Sequence, residues 1–153
     1  MPSRRDQIKM SPAEVDEFLA GRRTMNIATI GPTGHPHVVA MWYGFSGGKP
    51  AFWTFGRAQK VLNIRRDPKI TALVEDGDTY SQLRGAELVG TARLVEDREG
   101  IIEIGLSVAE RYQGTDAATA MPFVEAQAGK RLGVVIDVER VVSWDHTKLG
   151  GVY

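Results

Sequence analysis

The pattern of apolar and polar positions divides the chain into short elements. "SPAEVDEFLAG" places Val15, Phe18 and Leu19 at i, i+3 and i+4, the apolar stripe of a helix. Ser11 sits at its N-cap, Pro12 at the first helical position and Glu14 three residues after the cap, which makes a capping box. Gly21 ends the helix. Strand-like segments follow. "TMNIATI" (24–30), "HPHVVAMWYGF" (35–45) and "PAFWTF" (50–55) read as strands joined by the turns "GPTG" (31–34) and "SGGK" (46–49), so the first two form a hairpin. Along 35–45 both alternating sets are largely apolar: Val39, Met41 and Tyr43 on one face, Val38, Ala40 and Trp42 on the other. That pattern predicts a central strand buried on both faces.

From Arg57 to Arg66 the pattern turns helical, and Pro68 cannot continue it. "KITALVED" (69–76) and "AELVGTARLVED" (86–97) are strands, the second with Gly90 at a bulge or bend. Residues 98–114 read as a helix closed by Gly114, and 117–129 as a weaker helical segment broken by Pro122. Residues 130–146 read as two final strands. Tight turns imply antiparallel pairing. Six or seven short strands with few helices predict a mainly β (α+β) fold, a small barrel with peripheral helices. One domain is expected over 1–153, with residues 1–10 as a flexible N-terminus.

Composition narrows the function classes. The absence of cysteine removes disulfides, thiolate zinc sites and cysteine nucleophiles. Lys plus Arg and Asp plus Glu balance at 19 each, which argues against nucleic acid as a partner. No apolar run approaches the roughly 20 residues needed to span a bilayer. The N-terminus has no apolar segment after its charges, so it is not a signal peptide. A soluble cytoplasmic protein is expected, with no membrane contact.

Chemistry concentrates at "TFGRAQKVLNIRRDPKI" (54–70). Arg57, Lys60 and Asn63 fall at i, i+3 and i+6, within an arc of roughly 120°, while Ala58, Val61 and Leu62 occupy a separate arc expected to face the core. The polar arc begins at a helix N-terminus, where free N–H groups and the dipole favour anions. Thr54 adds a hydroxyl at the strand end. This set suits a phosphate; the alternative is a solvated basic face, to which Arg65 and Arg66 belong. His35 and His37 share one strand face, yet no third metal ligand is evident. No hydrolase, Walker or Rossmann motif is present. Trp42, Trp53 and Trp144 are most simply core or interface residues.

These segments together resemble the pyridoxamine-phosphate-oxidase-like split β-barrels, and within them the flavin/deazaflavin oxidoreductases of actinobacteria. The resemblance covers roughly residues 8–146. It is carried by "NIATIGPTGHPHVVAMWYGF", "AFWTFGRAQKVLNIRRDPKITALVED" and "LVGTARLVED", and most specifically by Arg57-x-x-Lys60-x-x-Asn63 followed by Asp67-Pro68. It implies a six- to seven-stranded antiparallel split barrel of the FMN-binding type, assembled as a homodimer with the cofactor in a groove between subunits. It implies Arg57 and Lys60 as phosphate ligands with Thr54 nearby, and Asn63 in a binding or structural role. It further implies strand 37–42, through His37, Val39, Met41 and Trp42, as the wall beside the tricyclic ring.

FMN-holding oxidases of the family usually carry an arginine on the strand aligned with "HVVAMW". Val38, Val39 and Ala40 stand there instead. The resemblance therefore points to coenzyme F420, with FMN as the alternative. The implied activity is hydride transfer between the deazaflavin and an unsaturated small molecule. A non-catalytic F420 carrier and a haem-binding member using His146 are the other readings. Proton delivery is open among solvent, His37 and Tyr43. Physically, no residue set here runs redox chemistry unaided, so the protein supplies position and electrostatics.

Overall fold

The computed structural model of the chain describes residues 1–151. Its elements, in order, are α1 (Arg4–Ile8), α2 (Pro12–Ala20), β1 (Met25–Ile30), β2 (Pro36–Met41), β3 (Gly44–Ser46), β4 (Lys49–Phe55), α3 (Gln59–Arg66), β5 (Lys69–Asp76), β6 (Arg84–Val95), α4 (Arg98–Gln113), α5 (Ala117–Ala128) and β7 (Arg131–Asp145). Short 3₁₀ turns follow β5 and β7. The strands form one seven-stranded sheet in the order β2-β1-β5-β6-β7-β4-β3, and every pairing is antiparallel.

Connectivity dictates the curvature. β2 and β3 lie at opposite edges of the sheet, yet only Trp42 and Tyr43 separate them along the chain. Two residues cannot cross a flat seven-stranded sheet, whose strands stand about 4.8 Å apart. The sheet must therefore curl until its edges meet, leaving a seam between β2 and the β3–β4 hairpin. This is the expected split barrel.

Local chemistry sets the elements. Ser11 and Glu14 close the capping box of α2 at 3.2 and 2.8 Å, and Val15, Phe18 and Leu19 are buried. Gly114 ends α4 at φ 65°, a left-handed cap that L side chains resist. The β6–β7 register slips at Val89/Gly90. A Cβ at Gly90 would stand 2.1 Å from the Asp137 carbonyl oxygen, so only glycine lets the bulged strand approach.

Two apolar layers result. Ile27, Phe52, Ile70, Val74, Leu88 and Ile136 belong to the barrel core, which α2 closes with Phe18 and Leu19. Trp53 and Val135 meet Ile104, Val108 and Val124 of α4 and α5 in the second layer. β4 and β7 are thus the strands covered on both sides.

Several expectations from the pattern are corrected. The continuous strand 35–45 is two strands, and β2 is an edge strand with alternately exposed residues rather than a central one. Its double apolarity has no double cover within the chain. Residues 130–146 form one strand, because pairing to β6 continues through the polar "DVER" by way of the bulge. Pro122 does not break α5; Ala120, Val124 and Ala128 are buried along that helix and hold it together. Beside these corrections, the N-terminal segment contains the exposed helix α1, capped by Ser3, and Met10 is buried in the core with its N–H donated to Ser143.

Candidate functional site

The candidate site begins where β4 ends. Phe55, Gly56 and Arg57 lead into α3, whose N-cap is Ala58. Alanine offers no side-chain acceptor, so the N–H groups of Gln59 and Lys60 receive no side-chain cap, while that of Val61 donates to the Ala58 carbonyl at 3.0 Å. Arg57 therefore precedes the helix rather than starting it. It is exposed, and it lines a cavity of about 610 Å³ with Phe55, Lys130, Arg131 and Leu132.

Lys60, by contrast, is buried. It is 8% exposed, and its Nζ donates to Thr54 Oγ1 at 2.9 Å. No carboxylate pairs with it among the described residues. Burial alone holds its ammonium below the ordinary 10.5. Asn63 is fully buried; its Nδ2 donates to Thr29 Oγ1 at 3.1 Å, and its Oδ1 accepts from Gln59 Nε2 at 2.8 Å. Leu62, expected in the core, is exposed. Val61 is buried as expected, and Lys60 and Asn63 of the polar arc are buried beside it. Arg66 is not idle either, donating to the Ile30 carbonyl and to Asn63 Oδ1.

These bonds give α3 a mechanical position. Lys60 ties it to Thr54 on β4, and Asn63 ties it to Thr29 on β1. The helix therefore bridges the two sides of the seam at one end. His37 faces Thr29 across the β1–β2 ladder, and its Nδ1 is buried without a hydrogen-bond partner.

The expected β2 wall divides. Val39 and Met41 pack partly against the barrel core. Trp42 is 51% exposed and stacks on Tyr112 with ring centroids 4.8 Å apart and planes 4° apart. Met41 and Trp42 also line a cavity of about 390 Å³ that reaches Trp53 and Arg131. Tyr43 is removed as a proton donor. Its hydroxyl donates to the Leu19 carbonyl at 2.5 Å, and burial pushes its pKa up to about 12.

The sequence reading missed Arg131. Its guanidinium lies 4.6 Å from the Trp53 ring centre and 4.5 Å from that of Phe55. Its Nε is buried without a partner, and the residue lines both cavities. The available signal was "KR" opening the last strand directly after Gly129. No cluster of three or more His, Asp or Glu suited to a metal occurs among the described residues. His146 packs edge-to-face on Tyr80 at 4.7 Å. No described helix is long and apolar enough to cross a membrane.

A buried lysine partnered by one hydroxyl, a helix start without a side-chain cap and an exposed arginine thus follow one another along the chain beside the barrel seam. The comparisons agree with this architecture: the pyridoxamine 5'-phosphate oxidase family matches residues 11–145, and the chain belongs to that family. Among solved structures, a conserved hypothetical protein of Mycobacterium tuberculosis is 44% identical, with a TM-score of 0.92 over 99% of this chain and 95% of that one. An F420 reductase is 26% identical, with a TM-score of 0.64 over 82% and 94%. A heme binding protein from Mycobacterium smegmatis shares the fold at 17% identity and TM-score 0.63, over 97% of this chain and 60% of that one. A search of curated proteins gave no match.

Proposed function

We propose that the chain is a cytoplasmic, homodimeric oxidoreductase dependent on coenzyme F420, acting on an unsaturated small molecule. The single observation that carries this reading is Lys60. A cation buried without a counter-ion is costly to keep, and a bound phosphate would supply the missing charge. Lys60, Arg57 and the first-turn N–H groups of α3 would hold the phosphate, with Thr54 orienting the Lys60 ammonium. Met41 and Trp42 would border the ring, together with the unpaired backbone edge of β2. Bound there, the deazaflavin would supply a hydride to the acceptor. His37 is the side chain whose unpartnered Nδ1 could hold a proton beside that strand.

Two observations favour F420 over FMN. The middle of β2 carries Val38, Val39 and Ala40 and no arginine, and an F420 reductase is among the similar structures. The commitment of Tyr43 to the Leu19 carbonyl favours a second reading, a carrier that binds F420 without turnover. Titration of F420 fluorescence tests binding, with FMN titrated in parallel. Tighter binding of F420 is expected, and tighter binding of FMN overturns the assignment. Oxidation of reduced F420 by a panel of enones and tetrapyrroles then separates enzyme from carrier.

A further inference from the structure

The cavity of about 390 Å³ lies on the outer face of β4, against α4 and α5. Its size falls in the range of small-molecule sites. Trp42, Trp53, Val108 and Phe123 make most of its wall apolar, and Gln113 adds one amide. Arg131 is its single charged residue, and no acid lines it.

The setting of Arg131 is built rather than incidental. It pairs with Phe55 across the β4–β7 ladder, and the guanidinium sits against both Phe55 and Trp53. Two aromatic faces fix the plane of the group and strip water from it. Nε is left buried and unpartnered. Desolvation holds the guanidinium below its usual value, with no carboxylate offsetting that burial. Trp53 itself occupies space kept open by Gly105, where a Cβ would stand 2.7 Å from its ring. A planar cation beside an apolar, acid-free cavity selects a flat apolar molecule that carries an anion.

From this geometry we infer that the cavity between β4, α4 and α5 is a binding site for an aromatic or polycyclic carboxylate, whose acid group is read by Arg131. The site is separate from the Lys60–Thr54 pair, because Trp53 and Thr54 project to opposite faces of β4. Its role as the pocket of the hydride acceptor rests on the F420 reading, since Met41 and Trp42 border both regions. The binding itself does not depend on that reading.

The test uses 2-naphthoate and its neutral analogue 2-naphthamide, followed by quenching of tryptophan fluorescence. Trp42 and Trp53 line the cavity, whereas Trp144 packs elsewhere, against Gly85. Naphthoate is expected to bind the wild-type chain at least about tenfold more tightly than naphthamide, the scale of one charge-assisted contact. Arg131→Gln should abolish that difference, and Arg131→Lys should restore only part of it. Lys60→Ala should leave naphthoate binding unchanged while weakening F420, which separates failure of this site from failure of the cofactor reading. Equal binding of acid and amide to the wild type overturns the inference without any variant. So does an acid preference that survives in Arg131→Gln, one lost in Lys60→Ala, or the absence of binding by either probe.

Discussion

Lys60 and Thr54 meet at 2.9 Å, ammonium to hydroxyl, in a place where neither is exposed and no carboxylate balances the charge. The contact orients the lysine without neutralising it, so it has opposite consequences for folding and for binding. Lys60→Met should stabilise the cofactor-free chain by on the order of 1 kcal/mol, because a desolvated cation is removed. The same change should weaken F420 by roughly 1.5–3 kcal/mol, about 10- to 150-fold. Urea denaturation and fluorescence titration measure the two effects. A variant that is less stable and binds F420 normally would make Lys60 a structural residue.

The pH dependence of that pair follows in sign. Burial lowers the Lys60 pKa below the 10.5 of the unfolded chain. Between the two values the unfolded state holds more protons, so this group's contribution to stability rises with pH. The stability advantage of Lys60→Met should therefore be largest near neutrality and shrink as pH climbs toward 10.5. Paired urea curves from pH 7 to pH 10 check this, and a constant difference would refute it.

Arg66 and Asn63 should matter to the fold. Asn63→Ala leaves Thr29 Oγ1 without its donor inside the barrel and should cost about 1–3 kcal/mol. Arg66→Ala loses the bonds to Ile30 and Asn63 and should cost about 0.5–1.5 kcal/mol. Thermal melts without ligand measure both. Wild-type stability in Arg66→Ala would return that residue to the solvated face expected from sequence.

The edge strand β2 carries Val38 at 60% exposure, and Trp42, just past its end, is 51% exposed. A single chain leaves these apolar groups in water, and a second copy would cover them. Val38→Lys is expected to shift the chain from dimer to monomer in sedimentation velocity while leaving its circular dichroism unchanged. A wild-type chain that sediments as a monomer at micromolar concentration would remove the homodimer.

Gly105 lies against Trp53. Gly105→Ala should destabilise by about 1–3 kcal/mol through overpacking. It should also displace the ring on which Arg131 rests, reducing naphthoate binding while F420 affinity is kept. Unchanged stability together with unchanged naphthoate binding would show that the layer adjusts freely.

Local chemistry was legible in the sequence and long-range cover was not. The capping box of α2 and the Gly114 cap are each set by residues within a few positions of one another, and Gly90 marks its bulge by its own identity although the Asp137 carbonyl it admits lies on a distant strand. The strands β1, β4, β5 and β6 and the antiparallel sense followed from turn residues and period, whereas the break within 35–45 and the single strand β7 did not. The place of β2 did not, because two apolar faces report that something covers them without saying what. Lys60 was legible as a candidate phosphate ligand, but no local pattern announces that α3 buries this lysine. Arg131 stayed hidden for the converse reason: a basic pair at a strand start looks like a solvated end, and only the β4–β7 register sets it between Trp53 and Phe55.

Trp42 and Tyr43 have a mechanical consequence. From Met41 to Gly44 the chain crosses three peptide units, which extend to about 11 Å at most. That end of the slit has a covalent ceiling on how far it can gape. The opposite end is spanned by α3 itself, joined to β4 and β5 by short loops, with Val61 and Ile64 buried and Lys60, Asn63 and Arg66 donating to its two flanks. Both ends of the slit are therefore tethered by the backbone. A guest phosphate would share the Lys60 ammonium with Thr54, a group with three protons to donate, at a slit whose width the chain already limits.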